Sequence, residues 1–263
     1  MTTATESFTE TTLQVAGLKL RLMQAGSGAP VVILHHSTGN PGWIPLYERL
    51  SGEFAVTVPD MPGYGQSERP EWARDARDLA ILMNAAIEQL DLEGVTLVGL
   101  GFGGFVAAEL ATMSRCRLGR LVLVGAAGLQ PEEGEILDQM LVDYDEYVKV
   151  SFRDDAAYAA SFGETPADDI KQLWDFSREM TARVTWKPYM FNRRLGPLLG
   201  EVHTPTLIIW GENDRVVPIS CARQYERLLP GARLEVLPGA GHAVELEDAA
   251  RVAELISAHA RKA

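Results

Sequence analysis

The chain predicts a doubly wound α/β fold: a mostly parallel sheet with helices on both faces and an inserted helical lid. Three observations carry that expectation. Short apolar runs rich in β-branched residues alternate with segments of helical period in both the first half and the last quarter of the chain. A glycine turn, Gly99-Leu-Gly101-Phe-Gly103-Gly104, joins one such run (Val95, Leu97, Val98) to a helical face (Phe105, Ala108, Leu110, Ala111), as at the carboxyl edge of a parallel strand. Between Leu129 and His203 the alternation stops. That stretch holds fifteen Asp and Glu against eight Lys and Arg, with ten of the twenty aromatic residues, so residues 1–128 and 204–263 are expected to form the core and 129–203 a lid over a pocket.

Taken in order, Leu13 to Met23 alternates apolar and polar residues around Gly17, the pattern of a half-buried antiparallel pair. Val31 to Leu34 is continuously apolar, like a strand buried on both faces. A loop follows, His35-His-Ser-Thr-Gly-Asn-Pro-Gly42, then a short helix within Trp43 to Leu50 and a strand from Phe54 to Val58. Leu79, Leu82, Met83, Ala86, Ile87 and Leu90 keep the helical period over Asp75 to Leu90, which delivers the chain to the glycine turn. Leu121 to Val124 is the next strand. After Pro205 come a strand (Leu207 to Trp210), a helix (Ser220 to Leu229), a strand (Leu234 to Leu237) and a helix (Glu245 to His259).

Composition narrows the partners. A length of 263 residues at 46% hydrophobic buries roughly three-quarters of the unfolded surface in one compact unit. A formal charge of -12 disfavours nucleic acid and anionic membrane alike, and the partner expected is a small-molecule substrate. Cys116 and Cys221 stand far apart in no metal-ligand spacing, so reduced thiols and a cytoplasmic setting are expected, with no metal and no cofactor. Met1 to Thr12 is polar and reads as neither signal peptide nor anchor. Composition sets no oligomeric state.

Two chemistries use a turn like Gly99 to Gly104. Gly-x-Gly-x-x-Gly cradles a dinucleotide pyrophosphate and fits Gly99, Gly101 and Gly104. It also expects an acidic residue about 20 positions on, at the next strand end, and Leu121-Val-Leu-Val-Gly-Ala-Ala-Gly128 has none. Gly-x-Ser-x-Gly places a nucleophilic serine at the tip and fits everywhere except at Gly101.

The later loops favour the second. Gly211-Glu-Asn-Asp214 and Gly241-His242 follow the last two strands, and Asp60-Met-Pro-Gly63-Tyr-Gly65-Gln-Ser67 follows an early one. Together with the glycine turn these motifs resemble the α/β-hydrolase superfamily over nearly the whole chain. The lid segment Trp186-Lys-Pro-Tyr-Met-Phe-Asn192 is similar to the bacterial branch of esterases and ring-cleavage-product hydrolases. The resemblance implies a triad order of nucleophile, acid and histidine, here Gly101, Asp214 and His242. It implies an oxyanion hole from the backbone N–H groups of Phe102 and Ser37, and a substrate pocket that includes Trp186. His36, where the family has the glycine of His-Gly, reads either as a substrate-binding group or as a locally bonded loop histidine.

Glycine at position 101 removes the serine hydroxyl and with it an ordinary acyl-enzyme mechanism. What remains is an Asp214-oriented His242 able to activate water or abstract a proton from an activated ester, a lactone or a vinylogous diketone. Two other readings stand beside it: a serine hydrolase whose nucleophile was replaced by design, and a ligand-binding protein on a hydrolase scaffold.

Overall fold

The computed structural model describes residues 8–113 and 117–261. Cys116 and residues 1–7 lie outside that range. Eight strands form one sheet in the order β1-β2-β4-β3-β5-β6-β7-β8. They are β1 (Thr9–Val15), β2 (Leu18–Ala25), β3 (Pro30–Leu34), β4 (Ala55–Pro59), β5 (Val95–Leu100), β6 (Leu118–Val124), β7 (Thr206–Gly211) and β8 (Arg233–Leu237). The β1/β2 hairpin turns at Gly17, and β2 pairs antiparallel with β4. Every pairing from β4 through β3 to β8 is parallel.

Helices cover both faces. α2 (Ala76–Gln89), α3 (Phe102–Met113) and α8 (Ile219–Leu228) pack one side, where Leu79, Leu82, Met83, Val106, Leu110 and Tyr225 meet Leu97 and Leu121. α1 (Pro45–Ser51) and α10 (Ala249–Ala260) pack the other, with Leu46, Tyr47, Leu50, Val252 and Ile256 against Val31, Ile33, Val98 and Val122. A strand buried on both faces reads as a near-continuous apolar run, and β3 shows it from Val31 to Leu34 while β5 shows it with Val95, Leu97, Val98 and Leu100, interrupted by buried Thr96 and by Gly99. Asp75 closes a capping box with Asp78 and so starts α2 where the helical period begins.

One expected helix is two. The run from Glu245 to His259 breaks at Asp248, whose carboxylate caps Arg251, giving a single turn α9 (Val244–Glu247) ahead of α10. That break lets α9 face the pocket while α10 packs on the sheet. His259 is buried on α10 with Nε2 3.1 Å from the Pro205 carbonyl.

Residues 129–203 carry α4 (Tyr144–Val150), α5 (Asp155–Phe162), α6 (Asp168–Thr185) and α7 (Leu195–Leu199). The segment is tied down over the loop after β3. Thr181 on α6 donates to the Ser37 carbonyl at 3.0 Å and pairs with the Tyr64 hydroxyl at 2.8 Å. A Cβ on Gly39 would meet Ser177 Oγ at 2.6 Å, so only glycine lets α6 approach this closely. Among the described residues no helix is long and apolar enough to cross a membrane.

Candidate active site

The strand-end loops converge at the carboxyl edge of the sheet. Gly101 follows β5 at φ +52°, the left-handed conformation that glycine adopts without strain. Its neighbours are glycine for packing reasons: a Cβ on Gly99 would meet Gly104 Cα at 2.5 Å, and one on Gly103 would meet the Leu34 carbonyl at 2.2 Å. These close approaches are strand to helix, which accounts for the Gly-x-Gly-x-x-Gly match without a pyrophosphate.

His242, on the loop after β8, holds Nδ1 2.8 Å from Asp214 Oδ2, and both side chains are buried. Asp214 Oδ1 accepts the backbone N–H groups of Val216 and Val217, both at 2.8 Å. The carboxylate is thereby fixed before the histidine reaches it. Burial opposes the charged imidazolium, but the charge and hydrogen bond of Asp214, helped by Glu245, outweigh it and raise the His242 pKa above the ordinary histidine value. A carboxylate only accepts, so His242 Nδ1 carries the hydrogen and Nε2 is left toward Gly101.

His36 approaches the same glycine beside His242. A Cβ built on Gly101 would stand 2.3 Å from His36 Nδ1 and 3.0 Å from His242 Nε2, and the two rings meet edge to face with centroids 5.0 Å apart. His36 Nε2 lies 3.1 Å from Oε1 of Glu245 on α9, a buried carboxylate whose Oε2 meets no partner among the described residues. The local hydrogen bond expected of a loop histidine belongs instead to His35. Its Nδ1 donates to the His36 carbonyl at 2.8 Å and its Nε2 accepts the Met61 N–H at 3.0 Å. Burial pushes the His35 pKa down, and with both nitrogens in use it is a neutral strut.

Phe102 is the first residue of α3, where an N–H has no intrahelical acceptor. Phe102 and Ser37 line one small cavity with His242. Ser37 Oγ is occupied with Gln139 Oε1 at 3.1 Å. The pocket that both histidines line, of about 40 Å³, is bounded by His36, His242 and Glu245 together with Tyr147, Phe152, Phe162 and Trp174. A bound water takes at least about 10 Å³ by the same measure, so this space admits a small reacting group and little more. Pro41, Ile44, Phe162 and Leu246 are shared with a wider open hollow, which marks the way in. Burial pushes the Tyr147 hydroxyl up to about 12, so that group remains protonated.

Trp186 is not at this site. It caps the carboxyl end of α6, is 69% exposed, and lines a separate depression with Arg74, Phe105 and Arg183. The reason is helical phase: Trp174, Ser177, Thr181 and Val184 share the inward face of α6, and position 186 falls off it. Trp174 is the aromatic that this segment gives to the pocket. Glu245 is the other residue that sequence reasoning missed, because it reads as one more acid in a helix. Asp60 stays a turn residue, accepting Gln66 N–H at 2.9 Å and facing Arg21.

A model of the Alpha/beta hydrolase family matches residues 26–255. The chain is 28% identical over 261 residues to a 2-hydroxymuconate semialdehyde hydrolase of Pseudomonas sp. strain CF600, covering 92% of this chain and 90% of the relative. It is 27% identical over 259 residues to a 2-hydroxy-6-oxononadienedioate/2-hydroxy-6-oxononatrienedioate hydrolase of Paraburkholderia phymatum, covering 91% and 90%. The solved structure of a bacterial membrane phospholipase A superposes with a TM-score of 0.83 at 22% identity, over 98% of this chain and 88% of that one. At that identity it supports the fold alone.

Proposed function

Because this chain belongs to the α/β-hydrolase family, we propose that it hydrolyses a small carbonyl substrate without a covalent nucleophile, with His242 as general base and Asp214 as its orienting acid. The observation that carries this reading is the 2.8 Å Asp214–His242 pair aimed at a glycine where the family's order of motifs places a nucleophile. His242 Nε2 takes a proton from water as the water adds to the carbonyl. The Phe102 and Ser37 N–H groups hold the oxyanion, and the returning proton leaves with the departing group. General-base help is worth on the order of a hundred to ten thousandfold, so the substrate is an activated one. The ring-cleavage-product hydrolases among its relatives direct attention to vinylogous diketones, with activated esters and lactones as the other members of the class. Residues 129–203 act as a lid whose aromatic underside excludes bulk water.

Glycine at 101 belongs with its surroundings. The Cβ of a serine there would stand 2.3 Å from His36 Nδ1, so the ring that Glu245 now holds would have to shift. This supports an adapted site over a nucleophile replaced by design. The test is turnover of 2-hydroxy-6-oxodienoates, p-nitrophenyl acetate and a strained lactone by the chain and by His242→Ala. Loss of at least a hundredfold in the variant is expected. Equal rates would remove His242 from the chemistry, and tight binding with no consumption would favour a ligand-binding protein on this scaffold.

A further inference from the structure

Two imidazoles, not one, present a free nitrogen to Gly101. Both tautomers follow from their partners: Asp214 and Glu245 are acceptors, so the hydrogens sit on His242 Nδ1 and His36 Nε2. In the neutral rings His242 Nε2 and His36 Nδ1 are therefore both lone pairs. They lie 3.0 and 2.3 Å from one point, the Cβ position of residue 101. Their separation is thus below about 5.5 Å, the span of two ordinary hydrogen bonds to a common oxygen. An oxygen that donates to both must carry two hydrogens, and water does.

We propose that His36, oriented by Glu245, is a second catalytic histidine that holds the attacking water jointly with His242, so that the substrate is cleaved directly by water and alcohols are refused as acceptors. The inference rests on the general-base reading of His242. Water donates one hydrogen to each ring and turns its lone pairs toward the carbonyl carbon. As the C–O bond forms, the proton facing His242 moves to Nε2, while the one facing His36 stays on oxygen and becomes the hydroxyl of the product acid. Collapse of the tetrahedral adduct breaks the bond to the leaving group, which departs with its electron pair and takes the proton from His242. One water is consumed, both histidines return to their starting state, and no acyl group is attached to the protein.

The groups that face this pair are Tyr47 on α1, Tyr147 on α4, Glu245 on α9 and the His35 strut behind the loop. Burial raises both tyrosine pKa values, to about 12 for Tyr147, which leaves the carboxylates and the two rings as the groups that set the local charge. Glu245 is a positioning residue: it touches His36 Nε2, and it fixes which nitrogen of His36 faces the water.

The experiment is the product partition in 2 M methanol with p-nitrophenyl acetate and a 2-hydroxy-6-oxodienoate. Methanol has one hydrogen for two acceptors, so the wild-type chain should give acid with less than about 0.4% methyl ester, a tenth of the roughly 4% that 2 M methanol in about 51 M water would give an indifferent site. His36→Leu should raise the ester share at least tenfold while lowering the hydrolysis rate. Since that change leaves Glu245 buried and alone, His36→Leu/Glu245→Leu is measured beside it and should show the same partition. An ester share that is already high in the wild type, or unchanged in both variants, overturns the inference while leaving His242 as base; a rate that survives His242→Ala overturns the underlying reading instead. Nitrogen-15 NMR of the imidazoles decides without turnover. Neutral His36 is expected with hydrogen on Nε2 and neutral His242 with hydrogen on Nδ1, and the opposite form of His36 would overturn the proposal.

Discussion

The Asp214–His242 arm and the Glu245–His36 arm meet edge to face beside the glycine turn and are built to different standards. Asp214 spends one oxygen on the Val216 and Val217 N–H groups and the other on His242. Glu245 spends one oxygen on His36 and leaves the second without a partner among the described residues. The first arm joins two loops 28 residues apart at neighbouring strand ends. The second joins positions 209 residues apart through a one-turn helix. On the proposed mechanism, the group that carries a proton is clamped by backbone, whereas the one that offers only a lone pair is steered from a single side.

The widest gap between the arms should appear when each carboxylate becomes an amide. In Asp214→Asn the amide oxygen remains with the two backbone donors, so its NH₂ faces His242 Nδ1 and drives the hydrogen to Nε2, the wrong nitrogen for a base. A loss of about 10³ to 10⁴ in kcat is expected for the ring-cleavage substrate. Next comes the meeting point. Gly101→Ser places a side chain at φ +52° against His36 and should lower stability by about 1 to 3 kcal/mol in thermal unfolding, without creating an ester-cleavage burst. Combining it with His36→Gly clears the space, and a burst should then appear. Glu245→Gln should matter least to rate, by less than about tenfold, because no backbone bond prevents the amide from turning its oxygen to His36 Nε2.

Stability against pH separates a charged histidine from a neutral one. His242 has a raised folded pKa, so its contribution is complete below about pH 6.5 and is lost as pH rises through the folded value. For His35, with a lowered folded pKa, the contribution is present above about pH 6.5 and fades as pH falls toward the folded value. Melting temperatures measured from pH 5.5 to 8.5 should therefore lose their alkaline-side decline in Asp214→Asn and keep their acid-side decline.

The mostly parallel sheet and the convergence of Gly101, Asp214 and His242 were legible in the sequence because strand ends carry their signals locally, in glycines and short motifs, whereas the strand order was not. The helical insertion over residues 129–203 was legible as composition but not as phase, which is why Trp186 stood in for Trp174. Histidine at 36 and glycine at 101 looked independent along the chain. In space they are one exchange: the side chain absent at 101 leaves room for the ring that stands at 36. Glu245 gave no signal because its meaning depends on that ring, and no spacing rule links positions so far apart.

Rapid-quench kinetics of the wild-type chain with p-nitrophenyl acetate test the absence of a covalent nucleophile most directly. Product should form linearly from the first turnover, and mass spectrometry of the quenched protein should find no acetyl adduct. A burst of one equivalent of nitrophenolate with an acetylated residue would contradict the account.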